Sequence, residues 1–161
     1  MTISEHTHNH GNAHNHGKCI EDAVAAAREI CQSRETRFTP LRKKVLELVW
    51  SGHKPITAYE ILDLLSEGTK RVAPPTVYRA LDFLMEEGFV HRLESLNAFV
   101  GCPDPEHKHQ GHFLICRECR TVTEVNDQKL HNYIARTAET HGYTCENSMV
   151  EIMGVCENCR A

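Results

Sequence analysis

Two Cys-x-x-Cys pairs constrain this chain more than any other feature: Cys116 with Cys119, and Cys156 with Cys159. Two such knuckles are the usual recipe for a closed tetrahedral zinc site of four thiolates, so the end of the chain should come back to the first knuckle. Disulfides are the other use of eight cysteines, but paired spacing in an intracellular setting favours metal thiolates. Ahead of the first knuckle stand Cys102, His107, His109 and His112. That mixed thiolate and imidazole set is too large to share the same four-coordinate ion, so a second metal site is expected.

With 161 residues the chain can hold one ordinary domain or two small ones, and a structural metal would help hold a small one together. No apolar run reaches the roughly 18 to 20 residues of a membrane span and there is no signal-peptide core, so a cytosolic protein with no membrane partner is expected. The formal net charge of -4 does not advertise nucleic acid. Residues 31–93 nevertheless carry ten Lys/Arg against eight Asp/Glu, while residues 94–161 carry six against ten. So slight an excess means that any DNA affinity must come from local placement of cations.

Along the chain, five histidines among Asn and Gly before residue 18 offer nothing to bury and should form a disordered tail, either solubilising or a labile metal-gathering arm that Cys19 could join. Ile20, Val24, Ala27 and Ile30 or Cys31 then recur at helical spacing, with Cys31 read as core. Thr39-Pro40 caps a second helix carrying Leu41, Val45, Leu48 and Val49 inward. Thr57 and Glu60 have capping-box spacing for a third. Pro74-Pro75-Thr76 opens a fourth, with Val77, Leu81, Leu84 and Met85 buried and Tyr78 and Arg79 outside. Phe89 to Leu93 and Ala98 to Gly101 form a β-hairpin. Helix, helix, helix, hairpin is the order of a winged helix-turn-helix, in which Arg79 could grip a guanine or a phosphate and Arg42, Lys43 and Lys44 could meet phosphates. A solvated helix face is the plainer reading of the same residues. Further on, strands at Phe113 to Cys116 and Val122 to Val125, a helix from Asn126 or Asp127 to His141-Gly142, and a strand at Tyr143 to Val155 make a small α/β unit. Its open strand edges would suit pairing with a second copy, and a symmetric dimer would present two reading helices to a palindrome.

The run APPTVYRALDFLMEEGFVHRLESLNAFVGC, followed by HFLICREC and VCENC, resembles the ferric uptake regulator family, most closely its zinc-sensing branch. The resemblance covers about Ala23 to Arg160. It implies an α+β chain with a tail at 1–18, a winged-helix DNA-binding domain at 19–101, a hinge at 102–111 and a dimerisation domain at 112–161. It further implies a repressor of zinc-uptake genes with zinc as corepressor, acting as a homodimer on an AT-rich palindromic operator. By the same resemblance Cys116, Cys119, Cys156 and Cys159 hold a structural zinc. His91, Cys102, His109 and Glu124 hold a regulatory zinc, with His107 and His112 as rivals for the imidazole of His109. Tyr59, Tyr78 and Arg79 face DNA by the resemblance, and Arg42 joins them as a DNA contact on the reading of its charge given above. A third metal position of some relatives would fall on His112 and His131, with Ser148 in place of one usual ligand.

The donor chemistry bears on the metal independently. A thiolate at Cys102 is soft and shifts preference toward zinc, whereas an iron or peroxide sensor would use nitrogen and oxygen alone. Cys102 could also be a small buried hydrophobe after a strand. A zinc hydrolase or deaminase would need an open metal position with a general base, and no catalytic motif is matched. A zinc buffer or chaperone would account for the cysteines but not for the reading helix.

Overall fold

The computed structural model describes residues 16–52, 54–67, 72–106 and 111–160. Most of the histidine-rich tail, and His107 and His109 among the expected ligands, lie outside the described residues. The chain divides into two compact units, one within Ala13–Lys108 and the other within His109–Ala161.

The first unit opens with α1 (His16–Ser33), which begins three residues ahead of the expected Cys19. Its stripe of Val24, Ala27, Ile30 and Cys31 is buried, so Cys31 is core as expected. In α2 (Pro40–Trp50) the Thr39 side chain accepts the Arg42 N–H, and Pro40 occupies the first turn, where its missing N–H costs nothing. The inward face of α2 includes Leu46 beside Val45 and Val49. At α3 (Ala58–Ser66) the capping box is complete: the Glu60 N–H donates to Thr57 Oγ1 at 3.2 Å and the Thr57 N–H donates to Glu60 Oε2 at 2.7 Å. Helix α4 (Pro74–Glu86) buries Val77, Ala80, Leu81, Phe83 and Leu84. It stops at Gly88, whose φ of 82° is open to glycine at no steric cost, and the N–H groups of Gly88 and Phe89 return to the carbonyls of Met85 and Leu84.

Strands β1 (Val90–Leu93) and β2 (Ala98–Gly101) pair antiparallel with Val90 opposite Gly101. Ile56, just ahead of α3, bridges Phe99 through reciprocal backbone bonds of 3.0 and 2.8 Å, which ties the hairpin to the helices. Gly101 faces Trp50 so closely that an added Cβ would sit inside the indole ring. Gly101→Ala is therefore expected to destabilise this unit by about 1–3 kcal/mol, the usual cost of overpacking, and denaturant melts will measure it.

The second unit is a three-stranded sheet in the order β4-β3-β5, made of β3 (His112–Cys116), β4 (Val122–Glu124) and β5 (Val150–Gly154). Helix α5 (Gln128–Thr140) joins β4 to β5 and is capped by Asp127, whose carboxylate accepts the N–H groups of Lys129 and Leu130. The final strand is shorter than expected from the sequence, covering Val150–Gly154 rather than the whole of Tyr143 to Val155. Strand β3 buries Phe113 and Ile115. No residue of α5 is buried, although its apolar residues share one face.

Candidate functional site

The two knuckles meet because β3 and β5 run parallel. Cys116 is opposite Gly154 in that ladder, so both strands finish at the same end of the sheet and the chain after each turns into a Cys-x-x-Cys loop. The Arg117 N–H donates to the Gly154 carbonyl at 2.9 Å, and a 3-10 turn at Glu157–Cys159 folds the second loop back. The sulfurs of Cys116, Cys119, Cys156 and Cys159 lie within 4.8 Å of one another. Cys119 Sγ and Cys156 Sγ are 3.7 Å apart. A disulfide would need about 2.05 Å, whereas four sulfurs about 2.3 Å from a tetrahedral zinc stand about 3.8 Å from each other. The spacing fits a metal.

The loops are prepared for negative charge. The Cys156 N–H points at Cys116 Sγ from 3.3 Å. Backbone N–H groups of Cys119 and then Cys156 pull the Cys116 thiol down to about 6, against the opposing effect of burial. Cys119 is also lowered, chiefly by the Thr121 hydroxyl 3.1 Å from its sulfur. Cys159 is pushed up to about 12 by the neighbouring sulfurs of Cys156 and Cys119, with burial adding to the effect. Crowding by the Cys156 and Cys119 sulfurs thus makes Cys159 hold its proton, and a divalent cation would reverse that, binding with loss of protons. Thr121 was not singled out by the sequence reading; its place two residues after a ligand was the available signal.

In the first unit His91 and Cys102 come together through the hairpin register. His91 is opposite Val100, and the Cys102 N–H extends the ladder by donating to the Phe89 carbonyl at 2.9 Å. Side chains two positions apart share a face, so Cys102 is the diagonal neighbour of His91. Their ligand atoms lie within 4.8 Å, and Cys102 is buried at 4% exposure. In the second unit Glu124 closes β4 opposite Phe113, and His112 is buried at the start of β3. His112 and His131 belong to no cluster of three or more ligating side chains among the described residues.

The residues expected to face DNA lie in the first unit on helix surfaces. Tyr59 is 67% exposed at the start of α3 and Tyr78 is 43% exposed on α4, beside an exposed Arg79. Arg42 is engaged within the fold, its guanidinium stacked on the Phe83 ring and donating to the Arg37 carbonyl. Lys43 and Lys44 both pair with Glu47, at 3.4 and 3.7 Å. Exposed pairs of that kind are worth under about 1 kcal/mol and would yield readily to a phosphate.

Known proteins resemble this chain in sequence and fold. The zinc uptake regulation protein of Escherichia coli strain K12 is 38% identical over 140 residues, covering 86% of this chain and 82% of that protein. A solved zinc uptake regulator complexed with zinc and DNA superimposes with a TM-score of 0.82 at 38% identity, over 87% of this chain and 94% of the other. The crystal structure of holo XcZur gives 0.79 at 42% identity, over 86% and 96%. Together with a profile match over residues 33–153, these likenesses establish that the chain belongs to the ferric uptake regulator family, one of regulators rather than enzymes.

Proposed function

We propose that the protein is a zinc-responsive, DNA-binding repressor of zinc-uptake genes, active in the cytoplasm as a homodimer with zinc as corepressor. The observation that weighs most is the placing of the Cys102 thiol within 4.8 Å of a ligand nitrogen of His91, because a soft donor beside an imidazole favours zinc over iron. The first unit is the DNA reader and the second the dimer unit. In the second, Ile152 and Met153 of the edge strand β5 and Tyr133 of α5 are exposed, a surface that a second copy would cover. Among the described residues no helix is long and apolar enough to cross a membrane.

In this reading Cys116, Cys119, Cys156 and Cys159 hold a structural zinc, and His91, Cys102, His109 and Glu124 hold the regulatory one. Zinc held by these side chains would supply bonding energy that favours the DNA-competent form. Swinging a two-state equilibrium from 1:99 to 99:1 needs a differential of about 5.5 kcal/mol, and structural zinc in small peptides contributes about 10–16 kcal/mol. A fraction of that energy, specific to one arrangement, suffices. Tyr59, Tyr78, Arg79 and Arg42 then meet the operator, an AT-rich palindrome read by two copies.

The test is operator binding over a buffered zinc series. Binding should switch on with zinc and weaken with salt. Zinc uptake without duplex binding would mark a buffer protein, and a response to iron(II) but not to zinc would mark an iron-type regulator. Within the same assay Arg79→Ala should weaken operator binding by about 1–3 kcal/mol at matched salt, with zinc per chain and dimerisation unchanged. Equal affinities would remove α4 from the groove.

A further inference from the structure

We infer that the cleft between the first turns of α2 and α4 seats one phosphate of the DNA backbone, with the Arg42 guanidinium as its fixed donor; this rests on the DNA-binding function proposed above. The cleft measures about 200 Å³ and is lined by Thr39, Leu41, Arg42, Thr76, Arg79 and Ala80. Two arginines and two threonines line it, and none of the lining residues is acidic. Small-molecule pockets run to about 300–1,000 Å³, so the space suits a single oxyanion better than a whole nucleotide. A phosphodiester offers two free oxygens and one negative charge, which a planar guanidinium can meet with two parallel hydrogen bonds.

Apart from the Leu41 N–H in the first turn of α2, the donors here are side chains. Pro74 and Pro75 at the start of α4 carry no N–H, and the Thr76 N–H is spent on the Ala73 carbonyl at 2.9 Å. At α2, Pro40 has none, the Arg42 N–H goes to Thr39 Oγ1 at 3.4 Å, and the Lys43 N–H goes to the Thr39 carbonyl at 3.0 Å.

Arg42 is held in its working pose before any DNA arrives. Its guanidinium carbon lies 3.5 Å from the centroid of the Phe83 ring, and one Nη donates to the Arg37 carbonyl. A side chain already ordered by folding loses little further entropy on binding. Phe83 is a buried residue of α4, so the helix that carries Arg79 also sets the position of the anchor. With Arg42 on the phosphate, Arg79, one turn after Thr76, is left to reach a base edge.

The competing account is that Arg42 only braces α2 against α4. Duplexes in which one phosphate at a time is replaced by a neutral methylphosphonate separate the two, tested at fixed salt and buffered zinc against wild type, Arg42→Ala and Arg42→Lys. One position in each half-site should weaken wild type by about 10- to 100-fold, the range of a charged hydrogen bond, yet add nothing to the loss already present in Arg42→Ala. The salt dependence of Arg42→Ala should fall by about one phosphate per protomer. Arg42→Lys should keep that salt dependence while losing part of the affinity. If Arg42→Ala scales every modified position by the same factor with unchanged salt dependence, the residue is a brace and the inference is wrong. Should Arg42→Ala fail to fold, Thr76→Val at an exposed position carries the same comparison, with part of the same coupling expected. If zinc-loaded wild type binds no duplex at all, the proposed function falls and this inference with it.

Discussion

Cys119→Ser is expected to strip the second unit of its tightly held zinc and to cause the largest loss of stability of any single change considered. Serine would offer a hydroxyl that stays protonated near neutral pH, leaving three sulfurs where the geometry calls for four. Because zinc bound at such a site contributes folding free energy directly, on the order of 10–16 kcal/mol for a whole site, losing one ligand should melt this small sheet rather than merely loosen it. The unit has little else to fall back on: α5 and β5 have half-buried residues but no fully buried one. Zinc per chain, thermal melting and sedimentation of wild type and variant give the comparison. A variant that holds one zinc fewer yet melts and dimerises as wild type would show that the four-cysteine site is dispensable to the fold.

Cys102→Ser should have the opposite profile. The four-cysteine site shares no ligand with Cys102, so the variant should keep its structural zinc, its melting temperature and its dimer. Operator binding should cease to respond to zinc at concentrations that saturate wild type. Loss of a mere supporting contact around a metal ligand costs 10- to 100-fold in affinity, so loss of an anionic ligand should move the response by at least about 100-fold. Zinc at much higher concentration should restore part of the response through the ligands that remain. Superimposable response curves would make Cys102 a core residue and reopen the nitrogen and oxygen sensor that iron prefers.

The helix starts were legible because each is written in local chemistry. Thr39 with Pro40, Thr57 with Glu60, and Pro74 with Pro75 act within one turn, and all three mark the ends found in the structure. The meeting of the two knuckles was legible for a similar reason, since Cys-x-x-Cys spacing is a geometric statement about one ion. Long-range pairings were not. Nothing in the residues around Ile56 announces a bridge to Phe99, and the stacking of Arg42 on Phe83 joins positions 41 apart in the chain. Helix α5 shows the limit from another side. Its amphipathic period is real, yet periodicity says that a face needs covering without saying what covers it, and among the described residues that face is only half-buried. The shortened β5 has a more local origin: Glu146, Asn147 and Ser148 disfavour a strand, and among the described residues no strand pairs with Tyr143 to Met149.

The parallel ladder of β3 on β5 also bears on how the correct pairing is chosen. A strand finds its register by burying one face, and a slip of one residue exchanges the two faces while moving the chain about 3.3 Å. Strand β3 has that guide in Phe113 and Ile115, but β5 does not, for Ile152, Met153 and Gly154 are all exposed. Hydrophobic burial therefore penalises a slipped β5 only weakly. A one-residue slip would nevertheless carry Cys156 and Cys159 out of reach of Cys116 and Cys119, and no four-sulfur cage could close. A metal held by the four sulfurs would thus act as a proofreader of strand alignment, trapping the one pairing that completes its coordination and leaving the others free to dissolve and try again.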